Sequence, residues 1–161
     1  MTTKINIKNG LIKKKLMKKI IYTIISISLI TSVIALEKTK EEKVAKFVLE
    51  NIQKDYTACY GFYRITSESF QKANAKKSII EGLNKSADIA LKFSHDLGEV
   101  LSYKLKFMTD NNKKEISKLS IIAKKDFNQL TQKYGMTCKK LIENQKQRID
   151  YWENKGNIKI K

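Results

Sequence analysis

The sequence predicts an all-α protein, folded as an elongated up-down-up three-helix bundle behind an N-terminal signal helix. The 161-residue chain contains no proline and six glycines, so it lacks the residues that mark the many tight turns of sheet-rich folds. Apolar residues recur every three or four positions along three long stretches, which is the spacing of a helix face. A composition of 42% apolar and 30% charged residues is that of one globular domain.

The first predicted element is an export leader over residues 17–35. Two lysines follow Met17, an uncharged run extends from Ile20 to Ala35, and the small side chains of Val33 and Ala35 fit a cleavage site after Ala35. This run is shorter than the roughly 20 residues that span a bilayer core, so we expect cleavage, with retention as an anchor as the alternative. Residues 1–16 carry five lysines and no acid, and they form either a basic extension or an upstream start that is not used.

The remaining domain, residues 36–161, is strongly basic. It contains 26 of the 33 basic residues and all 16 acidic ones, so its formal net charge is +10. In a periplasmic or secreted protein, such a charge favours anionic lipid headgroups, phosphorylated envelope polymers, acidic proteins or DNA outside the cytosol as partners. The alternative is that the lysines are only solvated surface residues.

Three helices are predicted in this domain, near residues 38–72, 75–108 and 112–152, with a loose tail from about residue 154. Asn74 is the expected polar boundary between the first two helices, and Asn112 with Glu115 resembles a capping pair at the start of the third. Gly82 and Gly98 interrupt the second stripe, and each interior glycine weakens a helix by about 1 kcal/mol relative to alanine. Short connections make neighbouring helices antiparallel, so the first and third would run parallel.

The two cysteines are predicted to form one disulfide. Cys59 lies on the apolar stripe of the first helix and Cys138 on that of the third. In an oxidising compartment, an even count of two cysteines indicates a single bridge between them. Two separate buried thiols are the alternative.

Residues with catalytic potential are sparse, and we expect no enzyme activity and no cofactor. His95 and Glu99 are four residues apart on one helix face, but two ligands do not make a metal site. No spacing indicates a Ser/His/Asp set, a glycine-rich phosphate loop or a Cys-x-x-Cys redox motif.

Two features are candidates for partner binding. Phe62 and Ile65 lie on a side of the first helix that differs from the side of its tyrosines, so they are candidates to face a partner or a second copy of the chain, and the alternative is that they thicken the core around the disulfide. The second feature is a row of lysines at seven-residue spacing, opposite the apolar stripe of the third helix. It consists of Lys118, Lys125, Lys139 and Lys146. No aromatic residues interleave with this row, which argues against nucleic acid as the partner.

Three functions of different classes are compatible with these features. The favoured one is an exported non-catalytic binding or scaffold protein that contacts an acidic envelope component or protein partner. The alternatives are a periplasmic holdase-like chaperone, by analogy of form, and a small metal-dependent hydrolase built around His95.

Overall fold

A computed structural model describes residues 39–160, and in this part of the chain there are five helices and no strand. The all-α prediction is therefore confirmed for these residues. The predicted leader, residues 17–35, and the basic extension, residues 1–16, lie outside the described residues. The helices are α1 (Lys40–Lys72), α2 (Lys77–Val100), α3 (Leu105–Lys125), α4 (Phe127–Glu143) and α5 (Gln145–Lys159).

The turns that end α1 and α2 are built in the same way. Two residues after the end of each helix stands a residue in the left-handed region, Asn74 with φ 51° after α1 and Ser102 with φ 60° after α2. The following amide reaches back to a carbonyl in the last turn, from Ala75 to Phe70 (3.0 Å) and from Tyr103 to Gly98 (2.8 Å). This pattern satisfies carbonyls that would otherwise lack partners and stops the helix. Asn74 therefore terminates α1, and the second helix ends at Val100 rather than near residue 108.

α2 runs antiparallel to α1, as predicted. Gln53 of α1 donates a hydrogen bond to Ser94 of α2 (3.1 Å), while further along α1 the Ser67 hydroxyl meets Asn84 (2.8 Å). The hydroxyls of Thr57 and Ser94 lie 2.7 Å apart, so the buried polar groups at the centre of this helix pair satisfy one another.

The prediction of one continuous third helix over residues 112–152 is wrong. The chain leaves helical geometry at Asp126 and again at Asn144, which divides this region into α3, α4 and α5. Asp126 caps α4, because its side chain accepts a hydrogen bond from the amide of Gln129 (3.1 Å). Asn112, the predicted cap, lies inside α3. The loose tail expected from about residue 154 is also absent, because α5 continues to Lys159.

The chain reverses at Asp126, so α3 runs parallel to α1 while α4 and α5 run antiparallel to it. The partners on α1 show the direction, because their numbers fall as the numbers on α4 and α5 rise. Tyr134 stacks near Phe62, the Tyr56 hydroxyl donates to the Leu141 carbonyl (3.5 Å), and Gly156 lies against Val44 and Phe47. The described chain therefore runs up-down-up-down, with α1 in contact with every other helix.

The predicted disulfide is confirmed, with Cys59 of α1 joined to Cys138 of α4 and their Cα atoms 5.3 Å apart. Both cysteines are at most 1% exposed and lie in the core with Tyr56, Leu130 and Leu141. The two helices that they join are antiparallel, whereas the first and third helices were predicted to run parallel. A disulfide is consistent with an oxidising, extracellular location.

α5 is held to α1 by a charged cluster centred on Asp55. The Arg148 guanidinium donates two hydrogen bonds to the Asp55 carboxylate, at 2.6 and 3.0 Å, and the Trp152 indole donates a third at 2.6 Å. The hydrogen bond to Asp55 raises the pKa of Arg148, although partial burial opposes the increase. The guanidinium also lies 4.8 Å from the Trp152 ring centroid, so the cluster combines ion pairing with a cation–π contact.

The two glycines of α2 lie in different environments. At Gly98 an added Cβ would overlap Met108 of α3, whereas at Gly82 nothing lies within 4 Å. Gly98 therefore permits close approach of two helices, and only Gly82 is a simple weakness of the helix.

Replacing both cysteines by serine should destabilise the protein by up to about 4 kcal/mol, because the bridge closes a loop with a sequence separation of 79. The measurement is urea unfolding followed by circular dichroism, with the wild-type protein under reductant for comparison. Equal stability of the oxidised wild type and the double variant would contradict this expectation.

Asp55→Ala should destabilise the protein by about 2 kcal/mol, because the half-buried Arg148 and Trp152 lose charge-assisted hydrogen bonds. Asp150→Ala, at an exposed position of α5, is the matched control and should have little effect. Trp152 is the only tryptophan in the chain, so its emission reports the change directly during thermal unfolding. The expectation is incorrect if both variants unfold at the same temperature.

Gly82→Ala and Gly98→Ala should change stability in opposite directions. The first should stabilise the protein by about 1 kcal/mol through helix propensity alone. The second should destabilise it by about 1 kcal/mol, because overpacking against Met108 exceeds that gain. Chemical denaturation of the two variants provides the comparison, and stabilisation by both would show that Met108 moves aside without cost.

Candidate anionic-partner surface

The structure places Phe62 and Ile65 in the core. They are 5% and 7% exposed, and Phe62 packs between Tyr63 and Tyr134. The predicted partner-facing role of these two residues does not fit their burial. Four helices pack around α1 and cover both of its sides. The predicted three-helix bundle would have given α1 only two neighbours.

The predicted row of four lysines is divided among three helices. Lys118 and Lys125 lie on α3, Lys139 on α4 and Lys146 on α5, and all four are exposed. Because α4 runs antiparallel to α3, their seven-residue spacing does not continue along one straight helix face. The prediction of a single ridge is therefore wrong, although each lysine is on the surface.

α3 carries a dense lysine face of its own. All six lysines of α3 are exposed and lie within an arc of the helix that points away from buried Met108 and Leu119, and five of them cluster between residues 113 and 125. At 1.5 Å per residue they extend over about 18 Å. We refer to Lys113, Lys114, Lys118, Lys124 and Lys125 as the α3 lysine face.

The net charge is unevenly distributed among the helices. Between them, α1 and α2 contain nine basic and nine acidic side chains, so these two helices are neutral. The 21 residues of α3 contain six lysines and two acids, a net charge of +4. The fold thus concentrates positive charge on the helix that carries the α3 lysine face.

The lysines of α1 and α2 also differ from those of the α3 lysine face in how many of them pair with a carboxylate. On α1 and α2, Lys46, Lys77 and Lys92 each lie within 4 Å of a carboxylate one turn away. On the α3 lysine face, Lys118 binds Glu115 at 2.9 Å, and this hydrogen bond raises the pKa of Lys118. No carboxylate lies within 4 Å of the other four lysines in the described chain. Their charges remain available to an external anion.

His95 is a half-buried structural residue in this fold. Its Nε2 lies 3.3 Å from the side-chain nitrogen of Asn112, so the contact joins α2 to α3. Within residues 39–160, no group of three or more His, Cys, Asp or Glu side chains is placed to hold a metal ion. The described chain therefore contains no set of metal ligands for the metal-dependent hydrolase that was considered around His95.

A shallow groove of about 250 Å³ lies where α4 meets α5. Lys140, Asn144 and Tyr151 line it together with Arg148. The Arg148 guanidinium is already bound to Asp55, so Lys140 supplies the groove's unpaired positive charge.

None of the helices between residues 39 and 160 is long and apolar enough to cross a membrane. Neither the protein-family models nor the curated proteins and solved structures compared with this chain match it.

Proposed function

We propose that this chain is an exported, non-catalytic binding protein that contacts an anionic envelope component through the α3 lysine face. The observation that carries the proposal is the segregation of charge. The neutral pair α1 and α2 supplies most of the core, while the α3 lysine face presents five exposed lysines, of which Lys118 binds an adjacent carboxylate.

Four lysine ammonium groups without carboxylate partners suit a repeating anion. Each can approach a phosphate or carboxylate without first breaking an internal ion pair, and each contact releases a counterion from a polymer. A rigid helix fixes the spacing of these groups, so the ordering entropy lost on binding is confined to the lysine side chains. The arrangement therefore favours extended polyanions over single small anions.

Export is supported by two independent features. The sequence contains a leader pattern ending near Ala35. The buried disulfide between Cys59 and Cys138 suits an oxidising compartment. An exported protein with this surface meets envelope polymers and anionic headgroups rather than cytosolic nucleic acid.

The test is binding to inorganic polyphosphate at several salt concentrations. A variant with Lys113, Lys114, Lys124 and Lys125 replaced by Gln should bind more weakly. Its salt dependence should also be shallower, by roughly 0.7 in the logarithmic slope for each lysine in contact, as for single-stranded nucleic acids. Isothermal titration calorimetry supplies both quantities.

The matched control changes the same net charge on α1, α2 and their turn. It replaces four exposed lysines that also lack a carboxylate within 4 Å: Lys54, Lys72, Lys76 and Lys85. This control should retain most of the affinity. If both quadruple variants lose affinity equally, binding depends on net charge alone and the proposed face is not the site.

A further inference from the structure

The turn between α2 and α3 exposes a group of large apolar side chains. Val100 is 53% exposed, Leu105 65% and Phe107 49%. Tyr103 and Phe107 form an edge-on aromatic pair with ring centroids 5.0 Å apart. We call residues 100–107 the α2–α3 tip.

Lysines interleave with the apolar residues of this tip. Lys104 and Lys106 alternate with Leu105 and Phe107, and no acidic residue occurs between Val100 and Phe107. Both lysines are exposed, and no carboxylate between residues 39 and 160 lies within 4 Å of either. Aromatic and aliphatic side chains set among lysines are typical of segments that enter the interfacial region of an anionic bilayer.

The tip lies towards the end of the bundle at which α1 begins. Gln53 of α1 contacts Ser94 of α2, and α2 continues from there to Val100 in the direction of the start of α1, so the tip lies beside the first third of α1.

A second copy of the chain is a poorer occupant for the tip. A stable protein interface buries about 800 Å² on each partner, well beyond what three partly exposed apolar side chains supply. Two tips would also bring four lysines together, and their like charges would repel. A bilayer with anionic headgroups accepts both the apolar side chains and the lysines.

We propose that the α2–α3 tip inserts its apolar side chains into the interfacial region of an anionic lipid bilayer. Leu105 and Phe107 enter below the headgroups, and Lys104 and Lys106 bind the headgroup phosphates. Lys106 lies on the same side of α3 as Lys113 but seven residues earlier, and the two proposals are tested with different variants, so either proposal can fail without the other.

The test places a tryptophan reporter at the tip of the full-length chain, as Leu105→Trp. The matched control is Ile79→Trp, because Ile79 is 44% exposed and lies at the start of α2, at the opposite end of that helix from the tip. Vesicles contain either phosphatidylcholine alone or phosphatidylcholine with phosphatidylglycerol, each with brominated acyl chains as quenchers. Trp152 remains in both variants, and the emission of the wild type is subtracted.

With phosphatidylglycerol vesicles, the emission of the Leu105→Trp reporter should move to shorter wavelength and be quenched by the brominated chains, while the Ile79→Trp control should show neither change. Replacing Lys104 and Lys106 by Gln should weaken tip association about fivefold for each lysine. Vesicle binding through the leader alone would leave the tip reporter unquenched, which would overturn the proposal. A concentration-dependent blue shift without vesicles would also overturn it, because the tip would then be covered by a second copy.

Discussion

The disulfide between Cys59 and Cys138 is the constraint on which the described fold depends. It lies at the middle of α1, the helix that contacts all the others, and joins it to α4 after the chain has passed through α2 and α3. Around it, Tyr56, Leu130 and Leu141 exclude water, so the bond sits within the core rather than at its edge. One turn before Cys59, Asp55 binds Arg148 and Trp152 of α5. A covalent link therefore holds α4 against α1, and a polar cluster holds α5.

The core positions could be predicted from the sequence, but the path of the chain could not. The three-and-four spacing placed Cys59 and Cys138 on apolar stripes, and both are buried, because burial depends on which face a residue occupies. The spacing of apolar residues carries no information about the direction in which the chain runs. The same spacing therefore continues on both sides of Asp126, although the chain reverses there. A local pattern did mark the reversal, since Asp126 precedes Gln129 by three residues. Asn112 and Glu115 present the same pattern inside α3, and only tertiary packing distinguishes the two.

The candidate surface was predicted in part. Lys118 and Lys125 were chosen for their spacing, and both belong to the α3 lysine face. Lys113, Lys114 and Lys124 were missed because the seven-residue spacing selects one residue per two turns, whereas an exposed arc includes neighbours on both sides. Phe62 and Ile65 were predicted to face a partner because a bundle of three helices would have left their side of α1 uncovered. The burial of a residue on α1 depends on how many helices surround that helix, and only the structure shows that number.

The position of the disulfide has a consequence for cleavage by proteases. Its closed loop contains the end of α1, all of α2 and α3, and the beginning of α4, including the exposed turns at Asn74 and Ser102. A single cut in either turn would leave both fragments covalently attached through the buried sulfur atoms. Such a nicked molecule would migrate as one species until a reductant separated it, so an envelope protease could cut the tip without releasing the lysine face.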